Sequence, residues 1–143
     1  MFSWGVRHSQ TPPGKEAVVI KILCVEDNED NLFVLHRRLT RAGFEVKVAT
    51  NGKEGVEWAK TLQPDLIVMD LNLPKLDGTE ATRLLKSQPE TKHIPIIVLT
   101  SHYDEKHRAK ALAAGCDAYE TKPPDFERLV EKIHSLVAQR AKP

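Results

Sequence analysis

Three carboxylates, a hydroxyl pair and one lysine stand where apolar runs of the chain end. Glu26 and Asp27 follow Val25, Asp70 follows Leu66-Ile67-Val68-Met69, Thr100 and Ser101 follow Ile94 to Leu99, and Lys122 comes just after Ala118-Tyr119. A carboxylate buried at such a place without a partner costs on the order of several kcal/mol. Taken singly, each has an ordinary role: Asp27 or Asn28 as a helix N-cap, Thr100 as a turn residue, Lys122 as a solvated one. Taken together they do not, because clustered carboxylates repel and raise one another's pKa with no structural benefit unless a cation or a lysine occupies the cluster. An all-oxygen ligand set suits a hard divalent ion. Mg2+ takes one or two carboxylates, keeps several waters and completes its shell with phosphate oxygen. The alternating Asp/Asn pattern with a distant Glu that marks a calcium loop is missing from the sequence.

For these residues to meet, the elements that carry them must end at one edge. Short apolar runs at Val19 to Val25, Phe44 to Ala49, Leu66 to Met69, Ile94 to Leu99 and around Ala118-Tyr119 alternate with amphipathic stretches. Most of the runs are continuous, as expected of parallel strands covered on both faces. Phe126, Leu129, Val130, Ile133 and Val137 follow helical spacing, as do Leu32, Leu35, Leu39 and Ala42 before Gly43, and a helix over Lys106 to Ala114 ends at Gly115. Asn51-Gly52, Asp77-Gly78 and Pro123-Pro124 punctuate the connections, and no tight hairpin dipeptide joins two strands. The reading is a doubly wound α/β fold, a parallel sheet of about five strands between helices, with a ligand crevice beyond the carboxyl ends of the strands.

With 143 residues the chain has the size of one domain, and a net charge of +1 gives no electrostatic reason for direct nucleic-acid binding. Residues 1–17 read as a tail in which Phe2 and Trp4 could anchor on a partner or on the domain, 18–140 as the domain, and 141–143 as a C-terminal tail. No run approaches the ~18 apolar residues of a membrane span, and no signal-peptide core is present, so a cytoplasmic protein without membrane insertion is expected. Cys24 and Cys116 read as buried reduced thiols. The six histidines, His8, His36, His93, His102, His107 and His134, show no zinc spacing and read as surface or cap residues, with His102 set apart by its place beside the acidic cluster.

The four segments "VEDN", "MDLNLPKLDG", "VLTS" and "YETKP", in this order on the expected strands, resemble the receiver domain of two-component response regulators over about residues 18 to 140. The resemblance implies the flavodoxin-like receiver fold and an Mg2+-dependent site, with Mn2+ as a substitute. It implies that Asp70 is the phosphoacceptor, taking a phosphoryl group from a histidine kinase or a histidine phosphotransfer protein as an acyl phosphate. Asp27 and Asp70 would bind the metal directly, Glu26 mainly through water and Asn72 through its backbone carbonyl. Thr100, Ser101 and Lys122 would contact the phosphoryl oxygens, and Lys122 would offset the charge that develops during transfer. A cis Lys122-Pro123 bond is expected from the same source.

The resemblance also implies a switch, in which Thr100 moves toward the phosphoryl group and Tyr119 turns inward, repacking the face made by the fourth helix, fifth strand and fifth helix. Asn72 and His102, flanking the expected path of the hydrolytic water, are expected to tune the lifetime of the acyl phosphate. Ser101 stands where alanine is frequent, Leu73 where methionine is common and Glu120 where an apolar residue is common; none removes a catalytic group. Little sequence follows residue 123 beyond one helix, so a stand-alone receiver is expected. Such a protein is not an enzyme in the ordinary sense. It is a phosphorylation-controlled signalling protein, with self-phosphorylation and autodephosphorylation chemistry of its own, that binds a downstream protein target, forms a phosphorylation-dependent dimer or relays the phosphoryl group. Asn31, Leu32 and Leu35 resemble the kinase-docking region, although both leucines also suit the core. Two rivals are weaker. A phosphohydrolase would carry a second aspartate where this chain has Asn72, and a pseudo-receiver scaffold would have lost part of a site that is intact here.

Overall fold

Successive side chains of a strand point to opposite faces of its sheet, so an unbroken apolar run needs cover on both sides. The computed structural model, which describes residues 19–140, shows that cover. Five strands, β1 (Lys21–Val25), β2 (Glu45–Ala49), β3 (Leu66–Met69), β4 (Ile96–Thr100) and β5 (Ala118–Thr121), form one sheet in the order β2-β1-β3-β4-β5. Every neighbouring pair is parallel. The helices α1 (Glu29–Arg41), α2 (Gly52–Leu62), α3 (Gly78–Ser87), α4 (Glu105–Ala113) and α5 (Phe126–Arg140) alternate with the strands, as the parallel connections require.

Alternation divides the strands between two cores. Ile22, Cys24, Leu66, Val68, Ile97 and Leu99 pack with Leu35 and Leu39 of α1 and Leu129 and Ile133 of α5. Leu23, Val25, Ile67, Met69, Ile96 and Val98 pack on the other face with Val56 and Ala59 of α2, Ala81 and Leu85 of α3 and Ala111 of α4. The α5 stripe thus packs as its spacing predicts. Cys24 and Cys116 are free and buried, and burial pushes the Cys24 thiol up to about 12 and the Cys116 thiol to about 11.

Local signals set where the helices begin. Asn28, Asn51 and Asp77 each accept a hydrogen bond from the backbone N–H three residues on, capping α1, α2 and α3. Asn28, rather than Asp27, is therefore the cap after β1. Gly52 and Gly78 open the next two helices; both look like turn residues in the sequence, but the reason for glycine is proximity. A Cβ on Gly78 would lie 1.9 Å from the Asp70 carbonyl oxygen, and one on Gly52 would lie 1.8 Å from that of Leu76. The tail residues Phe2 and Trp4, and residues 141–143, lie outside the described residues. No described helix is long and apolar enough to cross a membrane.

Candidate functional site

The chain leaves β1 toward β2 on one side and proceeds from β3 through β4 to β5 on the other, so the sheet changes direction between β1 and β3, where α/β folds open a crevice. The carboxyl ends of these two strands carry the three acids. Asp70 is fixed there because its backbone N–H donates to the Val25 carbonyl at 3.0 Å, while the Glu26 N–H donates to that of Ala49 at 3.0 Å. Carboxylate oxygens of Glu26, Asp27 and Asp70 all come within 4.8 Å of one another. Glu26 and Asp70 are buried and Asp27 is exposed, so the cluster is open to solvent at one corner.

Lys122, at the end of β5, reaches the buried pair from the side. Its ammonium donates to Glu26 Oε1 and lies 3.6 Å from Asp70 Oδ1. The other Glu26 oxygen accepts from the Asn28 N–H at 3.1 Å. Burial, followed by the Glu26 charge, raises the Asp70 carboxyl to about 6, against the opposing pull of Lys122 and the Asn72 backbone N–H. One ammonium does not neutralise three carboxylates. The surplus negative charge and the hard oxygen donors fit a divalent ion of the Mg2+ type, and Glu26, Asp27 and Asp70 are the carboxylates that could hold it. Glu26 is engaged by Lys122. The Lys122-Pro123 peptide is cis, as expected.

Thr100 is fully buried at the end of β4, and its Oγ1 accepts from the His102 N–H at 3.3 Å. Tyr119 is half-buried against the α2/α3/α4 core, and its hydroxyl donates to the His102 carbonyl at 2.8 Å. The β4–α4 loop is therefore held on both sides of His102, through its N–H and its carbonyl. The side chain of His102 reaches back to Asn72, with Nε2 at 3.0 Å from Nδ2 and 3.2 Å from Oδ1 of the amide. Ser101 is exposed and lines a groove with Lys122, Pro123 and α1 residues Asn31, Val34 and Leu35.

Two features are not apparent from the sequence. Leu35 belongs to the core and Leu32 is half-buried, while the apolar residues that α1 presents to solvent are Phe33, 65% exposed, and Val34, 44% exposed. They flank Arg37, Arg38 and Arg41. Their signal in the sequence is a pair of apolar residues off the helical stripe. The second feature is His107, which meets His102 and Asp104 only because the β4–α4 loop folds back on the first turn of α4.

Known proteins resemble this chain in sequence and fold. The sequence profile of the response regulator receiver domain matches residues 22–134. The polar-differentiation response regulator DivK of Brucella anthropi is 36% identical over 116 residues, which span 81% of this chain and 94% of that protein. The receiver domain of a signal transduction histidine kinase from Syntrophus aciditrophicus superposes with a TM-score of 0.81 at 31% identity, covering 87% of this chain and 95% of the other. The receiver domain of a sensor histidine kinase from Pseudomonas aeruginosa, solved with a magnesium ion in its active-site cleft, gives 0.79 at 33% identity over 85% of this chain and 99% of the other.

Proposed function

The chain belongs to the response regulator receiver domain family of two-component systems, and from that premise we propose that Asp70 accepts a phosphoryl group from a histidine kinase or a histidine phosphotransfer protein. The single observation that carries this reading is the convergence of Glu26, Asp27, Asp70 and Lys122 at the sheet's change of direction, with more negative charge than the lysine neutralises. Burial and the Glu26 charge raise the Asp70 carboxyl to about 6, while Lys122 favours the carboxylate, the form that acts as a nucleophile. In the transfer an Asp70 oxygen bonds to phosphorus as the P–N bond to the donor imidazole breaks, and the released nitrogen takes a proton from solvent.

Asp27, Asp70 and the Asn72 carbonyl, with Glu26 acting through water, are the groups that would hold Mg2+. When bound, the ion supplies positive charge that draws together the acceptor carboxylate and the phosphoryl oxygens. Lys122 adds a second positive charge from the β5 side. The Thr100 oxygen accepts from the His102 amide, which leaves its hydroxyl proton to be donated to a phosphoryl oxygen. Movement of Thr100 toward the phosphoryl group pulls on the His102 N–H, and the carbonyl of the same residue accepts from Tyr119. That connection is how a charge gained at Asp70 reaches the α4–β5–α5 face that a downstream protein would contact. Ser101 and Lys122 share a groove with Val34 of α1, and the exposed Val34, with Phe33 beside it on the helix, offers apolar contact to a phosphodonor protein.

Borohydride reduces an aspartyl phosphate to homoserine, so peptide mapping after phosphorylation and reduction tests the assignment. Conversion confined to position 70 supports it; conversion at another aspartate overturns it.

A further inference from the structure

In α1, α2 and α3 the capping side chain accepts from a backbone N–H of the first turn, but Asp104, at the same position of α4, makes no such bond. Its carboxylate turns instead to the side chain of His107, whose Nδ1 lies 2.7 and 2.9 Å from the two oxygens. The His102 ring stacks on that of His107, with centroids 3.8 Å apart and planes 2° from parallel. One donor atom from each of His102, Asp104 and His107 comes within 4.8 Å of the others. The two imidazoles are half-buried and the carboxylate is exposed, so the cluster is reachable from solvent.

Two imidazole nitrogens and one carboxylate oxygen form a donor set different from the all-oxygen acidic cleft. Imidazole suits zinc and neighbouring transition ions, whereas Mg2+ prefers oxygen. We propose that His102, Asp104 and His107 form a second metal site that binds Zn2+ through three protein ligands and leaves a fourth position open. A tetrahedral ion with donors at roughly 2.0–2.1 Å holds them about 3.3 Å apart, so the His107–Asp104 pair opens slightly and the two stacked rings tilt out of parallel, adjustments that side-chain rotation in a loop and a first helical turn can supply. The bound ion holds the Asp104 carboxylate and both rings in one shell, tying the β4–α4 loop to the start of α4. Where the ion takes His102 Nε2, it also breaks the contact with Asn72.

The test is calorimetric titration of the full chain with Zn2+ at pH 7.5 in excess Mg2+, which occupies the acidic cleft. One site of micromolar or better affinity is expected. His107→Gln and Asp104→Asn should each weaken it at least tenfold, while Asp70→Asn and a variant with His8, His36 and His134 all changed to Gln should leave it unchanged. Circular dichroism of each variant confirms the fold, and Co2+ bound in place of zinc should give the visible absorption of a tetrahedral nitrogen and oxygen site. The absence of binding up to 100 μM Zn2+, binding unaffected by His107→Gln, or binding lost in Asp70→Asn would each overturn the proposal.

Discussion

Replacing Asp70 by asparagine should stabilise the metal-free protein, and the size of the gain follows from the site. Burial and the neighbouring Glu26 lift the Asp70 carboxyl from 3.8 to about 6 on folding. A rise of about two units means that the ionised form costs about 3 kcal/mol of folding free energy. Above pH 6 the folded state holds the ionised group and bears the whole cost. Between pH 6 and 4 the folded protein binds a proton that the unfolded chain does not, so the cost shrinks, and below 4 both states are protonated and it is gone. That cost is already net of the attraction to Lys122, but asparagine offers one acceptor oxygen fewer in a buried place, so a net gain of about 1–2 kcal/mol at pH 7.5 is expected, or roughly 3–8 °C in Tm for a domain of this size. Urea unfolding of both proteins in EDTA at pH 7.5 and pH 4.5 measures it. The gain should be largest at pH 7.5, small at pH 4.5, and reduced by millimolar Mg2+, which relieves the same repulsion in the wild type. A stability loss in Asp70→Asn at pH 7.5, or a gain that does not change with pH, would refute the argument from burial and charge.

Three further outcomes follow from the same geometry. Lys122→Met leaves the buried Glu26 and Asp70 without a positive partner, so it should cost about 3 kcal/mol in EDTA and recover substantially in Mg2+, as read by urea unfolding in the two buffers. Gly78→Ala forces a methyl group against the Asp70 carbonyl oxygen, 1.9 Å from the position its Cβ would take. A loss of about 2 kcal/mol or more is expected, with a matching fall in the rate of phosphorylation. Asn72→Ala and His102→Ala both remove the contact between these side chains beside the acceptor, and the half-life of the phosphorylated protein should change in each; equal half-lives in all three proteins would remove these residues from control of the lifetime.

The strands were legible because a short continuous apolar run that stops at acids, a hydroxyl or a lysine suits a buried parallel strand whose end opens on a polar crevice, and suits little else. Strand topology alone then put Glu26, Asp27, Asp70, Thr100 and Lys122 on one edge. The starts of α2 and α3 were less legible. Asn51-Gly52 and Asp77-Gly78 have the composition of turns, and only the packing shows that the first residue caps a helix and that glycine is required by a carbonyl lying under its Cα. The partition of Glu26 and Asp27 was likewise hidden. Both are acids after β1, but Glu26 turns inward to Lys122 and Asp27 stays exposed, and the lysine that makes the difference lies 96 residues away in sequence. His102, Asp104 and His107 are too irregularly spaced to read as ligands, since a loop residue and a first-turn residue meet only through the path of the backbone between them. On α1 the helical stripe hid Phe33 and Val34, because periodicity identifies what is buried and says nothing of apolar residues left outside.

The proposed role of Asp70 is to accept a phosphoryl group with the help of a divalent ion. Intact mass spectrometry of the wild type and Asp70→Asn, each incubated with acetyl phosphate in Mg2+ or in EDTA, tests it most directly. A single phosphoryl adduct on the wild type in Mg2+, absent in EDTA and absent from Asp70→Asn, is the expected result. An unmodified wild type under conditions where Mg2+ binding is verified, or an equal adduct on Asp70→Asn, would contradict it.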